Sequence, residues 1–180
     1  MARLVQISKF MSLMLRHEPA KFGLSLDAEG FTPLAEVVDA LRTRFTDATA
    51  ADVIAVVETN EPDKRRFTIL DDDIRANYGH SLTDRIAQQV AEPPALLLHG
   101  SHESALARIL VEGLIPMKRQ YVHMTALSDL ALRVGARRGK PVLVEIDAAQ
   151  AHAAGVTFYR ANESFWLADS VPAQFLRRRP

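Results

Sequence analysis

No cysteine occurs in the 180 residues, which excludes disulfides, thiolate nucleophiles and cysteine-based zinc sites. Neither charge is in excess: 22 Lys and Arg balance 22 Asp and Glu, so no global field draws the chain onto polyanions. Long apolar runs are missing, and no segment approaches the roughly 20 apolar residues of a membrane span. The opening MARLVQISKF lacks the apolar core and small-residue cleavage site of a secretory signal, so a soluble cytoplasmic protein is expected. There is no Walker loop and no G-x-G-x-x-G, which removes the usual phosphate-cradling glycine turns. There is no H-E-x-x-H either, and the six histidines lie far apart, so no metal site is expected. Ser101 follows His99-Gly100 rather than sitting in a G-x-S-x-G elbow, which argues against a serine hydrolase.

What remains is a chain that is 48% hydrophobic, enough to bury the core of one large domain or two small ones. Residues 1–90 carry 11 basic and 14 acidic groups and residues 91–180 carry 11 and 8, so an anionic ligand suits the second half better. Ile7, Phe10, Met11 and Met14 recur at helical spacing over Leu4–Arg16, and Pro19 stops that helix because the residue before a proline avoids the helical region. Thr32-Pro33 predicts an N-cap with proline in the first helical position, ahead of Leu34, Val37, Val38 and Leu41. A third helix is expected from Ala50 to Glu58. Two short strands, around Arg65–Leu70 and Ile74–Tyr78, flank an acidic turn and predict a hairpin. Three helices followed by a hairpin is the order of a winged helix, which often meets nucleic acid and also serves as a protein-packing module.

Ala91-Glu92-Pro93-Pro94 reads as a linker, dividing the chain into residues 1–90 and 95–180. Beyond it the pattern predicts a short strand at Ala95–Leu98, a helix at Glu103–Glu112 stopped by Gly113, and a strand at Tyr121–Met124. A helix at Leu127–Arg138, a buried strand at Pro141–Ile146 and further strands at Thr157–Tyr159 and Phe165–Leu167 follow. Strands and helices without regular alternation indicate an α+β fold.

The side chains available for chemistry are arginines and histidines at element ends: Arg16-His17, Lys64-Arg65-Arg66, Lys118-Arg119 and Arg137-Arg138-Gly139-Lys140. Taken singly, each cluster suits a solvated face, and His17 equally suits a helix C-terminus. Taken together they suit phosphate, because the planar guanidinium matches its oxygens and each charge-assisted bond contributes roughly 1.5–3 kcal/mol.

Seven blocks in order carry a more specific signal: Ser8–Pro19, Lys64–Phe67, Ile74–Ser81, Leu97–Ser101, Gly113–His123, Val134–Val142 and Phe165–Pro172. They resemble the RNA 2′-phosphotransferase family over nearly the whole chain. The resemblance implies an N-terminal winged-helix lobe that binds RNA and a C-terminal ADP-ribosyltransferase-like lobe that binds NAD⁺. It implies removal of an internal 2′-phosphate from tRNA-like RNA by attack of that phosphate on the nicotinamide riboside carbon. That attack expels nicotinamide, and in the ADP-ribosylated RNA intermediate the neighbouring ribose hydroxyl then attacks phosphorus, giving dephosphorylated RNA and ADP-ribose 1″,2″-cyclic phosphate, with NAD⁺ consumed and no metal required. The family's Arg-His-Arg-Arg set maps onto Arg16, His17, Arg66 and Arg119. His99, Gly100, Ser101 and His123 are implied for NAD⁺, with glycine allowing close approach to the backbone. Arg133, Arg137 or Arg138 is implied for the pyrophosphate, and Arg75, Asn77 and His80 for RNA. A monomer without membrane attachment is expected. Tyr78 stands where the family usually has glutamine, and Ala161–Trp166 departs from its usual A-E-N-G-V-W pattern, with Phe165 in place of valine. Two other readings share these residues: ADP-ribosylation of nucleic-acid terminal phosphates, and a non-catalytic nucleic-acid-binding protein.

Overall fold

A computed structural model describes residues 2–58 and 65–179, apart from the side chains of Ala2 and Arg138. Lys64, the first residue of an expected basic cluster, lies outside the described residues. The architecture is α+β, with helices set against small antiparallel sheets. The chain forms two compact units, Met1–Ala87 and Gln88–Pro180.

In the first unit α1 spans Ala2–Arg16 and buries Ile7, Phe10, Met11, Met14 and Leu15 along one face. The helix closes where His17 and Glu18 both donate their amides to the Leu13 carbonyl, at 3.1 and 3.0 Å, ahead of a 3-10 turn over Pro19–Phe22. Two further helices, α2 (Leu34–Arg42) and α3 (Ala50–Val57), pack against it through Val37, Val38, Leu41, Val53 and Val56. Thr49 starts α3 with a reciprocal cap: its hydroxyl accepts from the Asp52 amide, and the Asp52 carboxylate accepts from the Thr49 amide.

The sheet of this unit joins β1 (Phe31–Pro33), β2 (Phe67–Leu70) and β3 (Asp73–Ala76) in the order β1-β3-β2. The hairpin turn at Asp71-Asp72 takes Asp71 to φ +52°, a region aspartate tolerates. The expected role of Thr32-Pro33 is corrected: Thr32 pairs with Ile74 inside β1, Pro33 takes the capping position, and Leu34 is the first helical residue. Three residues of strand carry no readable alternation, so the proline dominates the sequence pattern.

The second unit pairs β4 (Leu96–His102) with β6 (Pro141–Asp147) over seven residues, and β9 (Leu176–Arg178) joins the far edge of β6. A second sheet runs β5 (Val122–Met124), β8 (Trp166–Ala168), β7 (Phe158–Arg160). Reciprocal amide–carbonyl bonds between Leu98 and Thr125, 2.8 and 3.0 Å, tie the sheets together. Helices α4 (Glu103–Glu112), α5 (Ser128–Gly135) and α6 (Ala148–Ala153) complete the unit. Its core centres on Leu97, Met124, Ile146, Phe158 and Trp166, each large side chain contributing roughly 1.5–3 kcal/mol by leaving water. Strand β4 runs four residues past its expected end, so His99-Gly100-Ser101 lies within a strand. Before β7, the backbone of Gln89–Ala91 bonds to Phe158 and Arg160, so the chain joins the second unit ahead of Pro93-Pro94.

Candidate active site

The first unit brings Arg16, His17 and Arg66 together, although 50 residues separate the two arginines. Arg16, half-buried, ends α1 and donates from Nη2 to the Arg66 carbonyl at 3.5 Å. Arg66, just ahead of β2, donates from Nη1 to the Ser8 hydroxyl, further back on α1, at 3.1 Å. The Arg16 guanidinium lies over two aromatic rings, 4.9 Å from the centre of Tyr78 and 5.6 Å from that of Phe67. His17 is exposed, and its Nδ1 sits 2.8 Å from the Ser81 hydroxyl, whose own backbone amide donates to the Arg16 carbonyl at 3.0 Å. Helix end, strand start and the segment after β3 thus fix two guanidinium groups and one imidazole in a common frame.

Asn77 and His80, expected to meet RNA, are 4% and 3% exposed. The Asn77 amide accepts from the Thr68 hydroxyl at 2.7 Å and donates to the Arg65 carbonyl at 3.4 Å, and its backbone amide donates to the Arg66 carbonyl. Its observed work is to hold the strand on which Arg66 enters. Burial pushes the His80 imidazole down to about 4, with Arg16, His17 and Arg75 adding to the effect, so it is neutral near pH 7. Arg75 lies on β3, stacked 4.8 Å over Phe31 and donating to the Glu29 carbonyl at 3.3 Å. Burial draws its guanidinium below the usual value against the pull of Asp27 and Glu29.

In the second unit two histidines form a relay of backbone bonds. His99 on β4 pairs through Nδ1 with the carbonyl of His123 at 2.9 Å, and His123 on β5 pairs through Nδ1 with the carbonyl of Tyr121 at 3.0 Å. A carbonyl only accepts, so both Nδ1 atoms carry the proton, and in the neutral ring Nε2 is the acceptor. Burial holds His99 below its ordinary value and the nearby cation Arg119 pushes the same way, while the bond to His123 opposes them. Arg119 itself is exposed, in the bend before β5.

Gly100 has a structural cause of its own. A Cβ there would stand 1.8 Å from the Ala131 carbonyl oxygen, and one on Gly135 would stand 2.4 Å from the Ser101 carbonyl oxygen. The paired glycines let α5 lie directly on β4, burying Ser101 beneath it. Arg133 on α5 and Arg137 in the turn after it are exposed; the Arg138 side chain lies outside the described residues. Trp166 sits in the core with Arg160 stacked 5.2 Å over its ring, as its apolar neighbours suggest. Among the described residues no group of three or more His, Asp or Glu is arranged to hold a metal ion, and no helix is long and apolar enough to cross a membrane. Sequence alone does not mark Ser8 and Ser81 as partners of the cationic residues, although both fall inside the matched blocks; a hydroxyl carries no signal until its neighbour is known.

Comparison with known proteins matches residues 2–170 to the family described as RNA 2′-phosphotransferase, Tpt1/KptA family. A protein of Rhizobium rhizogenes named "Probable RNA 2′-phosphotransferase" is 44% identical over 172 residues, covering 95% of this chain and 91% of its own length. A protein of the same name from Streptomyces griseus is 40% identical, covering 98% of this chain and 97% of its own length. Another from Acetivibrio thermocellus is 38% identical, with 96% and 95% covered.

Proposed function

The chain belongs to the RNA 2′-phosphotransferase family, and from that premise we propose that it removes an internal 2′-phosphate from RNA by transferring it to NAD⁺. The first unit is read as a winged-helix lobe for RNA and the second as an ADP-ribosyltransferase-like lobe for NAD⁺. The assembly of Arg16, His17 and Arg66 by bonds to Ser8, Ser81 and one another is the observation that carries the reading.

The 2′-phosphate is already an anion, so its handling calls for position and charge rather than for a general base. Arg16, Arg66 and Arg119 bind its oxygens and offset the charge that shifts around phosphorus during transfer. His17 contacts the same phosphate or gives a proton to the departing RNA oxygen, since an imidazole exchanges protons near neutrality. Arg75 contacts the RNA backbone, with Asn77 and His80 shaping that surface from beneath.

NAD⁺ supplies an electrophilic ribose carbon with nicotinamide as its leaving group. The second unit's groups fit such a ligand. His99 and His123 each commit Nδ1–H to a carbonyl, which turns Nε2 toward the acceptor role for ribose hydroxyls, and His99, held below its ordinary value by burial, adds no charge against the cationic nicotinamide ring. Gly100 and Ser101 continue β4 beside His99 and support this site from the strand, and Arg133, Arg137 or Arg138 neutralises the pyrophosphate.

The test is incubation with a short RNA carrying one internal 2′-phosphate, with and without NAD⁺. Nicotinamide, ADP-ribose 1″,2″-cyclic phosphate and RNA with a free 2′-hydroxyl are expected only with NAD⁺. Equal dephosphorylation in its absence would mark a plain phosphatase. Alanine at Arg16, Arg66 or Arg119 is expected to lower turnover by about two orders of magnitude each, the scale of one lost charge-stabilising donor. Near-normal turnover by the Arg119 variant would remove it from the set.

A further inference from the structure

We propose that Tyr78-Gly79-His80-Ser81 is a positioning strap that sets the direction of the Arg16 guanidinium and the His17 ring. The inference rests on the reading that Arg16 and His17 handle the 2′-phosphate. Ser81 holds both members of that pair, and Tyr78 and Gly79 add contacts to the Arg16 guanidinium. The Ser81 amide holds the Arg16 carbonyl at 3.0 Å and the Ser81 hydroxyl holds His17 Nδ1 at 2.8 Å, across 64 residues of chain. The Tyr78 ring lies 4.9 Å from Arg16 Cζ. Gly79 takes φ +91°, and a Cβ there would stand 3.4 Å from Arg16 Nη1, so the backbone passes close beside the guanidinium.

Each contact has a chemical consequence for phosphate. A serine hydroxyl can donate to Nδ1, which places the proton of the neutral imidazole on Nε2, the tautomer that offers a donor to a phosphate oxygen. Without that hydroxyl the ring loses the contact at Nδ1 that selects the tautomer. Tyr78 holds Arg16 by its face, and a stacked guanidinium keeps its in-plane N–H groups for oxygen acceptors. His80, buried between Gly79 and Ser81, keeps neutral through its burial, so the strap adds no cation against the pair it supports.

The experiment compares full-length Ser81→Ala, Ser81→Thr, Tyr78→Leu and Tyr78→Phe with the parent, reading kcat, KM and the ¹⁵N signals of the His17 ring. Ser81→Ala is expected to lower kcat about 10–100-fold with KM for NAD⁺ within about twofold, the signature of lost orientation. Ser81→Thr restores most of the loss because it returns the hydroxyl. Tyr78→Leu lowers kcat about tenfold and Tyr78→Phe recovers it, since phenylalanine keeps the ring face. In Ser81→Ala the His17 ring signals move toward a tautomer mixture. Equal impairment of Ser81→Ala and Ser81→Thr would reveal a packing defect and overturn the strap, as would an unchanged His17 ring spectrum in Ser81→Ala. Full turnover by His17→Ala would instead overturn the functional reading, while the ring spectrum of Ser81→Ala still decides whether the strap exists.

Discussion

His80 shows how a single buried group ties stability to pH. Its imidazole is pulled from an ordinary value near 6.5 to about 4 in the fold, so between those limits the unfolded chain binds the extra proton. Stability is therefore whole above about pH 6.5 and falls as pH drops toward 4, by on the order of 3 kcal/mol once both states are protonated. Urea denaturation across this range should show a shallower decline for His80→Gln than for the parent; His99, displaced in the same direction, leaves part of the slope in place. Gly100→Ala tests a different constraint. Its methyl would meet a backbone carbonyl that cannot move without shifting α5, so a loss of about 3 kcal/mol or more is expected, read as a lower urea midpoint for the second unit. The sequence marks the arginines and histidines as candidates for phosphate and nucleotide because their chemistry is intrinsic. It hides why residue 100 is glycine, because the carbonyl that presses on it belongs to Ala131, on a helix well further along the chain.

Among the elements, α1, α3 and α4 are legible to within two residues at each end, since 3.6-residue periodicity over two or more turns is hard to produce otherwise. Short elements are not legible. Phe31–Pro33 and Leu176–Arg178 are strands only because β3 and β6 offer bonding edges, and α6 has six residues, fewer than two turns. Tertiary pairing decides them. The reciprocal cap at Thr49 gives a clean test of local encoding: Thr49→Ala should cost about 1 kcal/mol in chemical denaturation without altering the kinetics of RNA turnover.

For the whole molecule, balanced charge has a consequence for RNA selection. With no net attraction to polyanions, binding depends on a few placed cations rather than on a basic surface. RNA of the same sequence without the 2′-phosphate should bind about tenfold or more weaker at physiological salt, a difference fluorescence polarisation can read; equal affinity would mean that the backbone alone is recognised. The two-unit organisation is legible from the change in pattern along the chain, whereas its joint is not. Proline marks the break at Pro93-Pro94, yet hydrogen bonds made by Gln89–Ala91 commit the polypeptide to the second unit earlier. Those bonds cover one margin of β7. A truncated protein beginning at Pro94 would bare that margin and invite self-association, whereas one beginning at Gln88 would carry its own cover and stay dispersed.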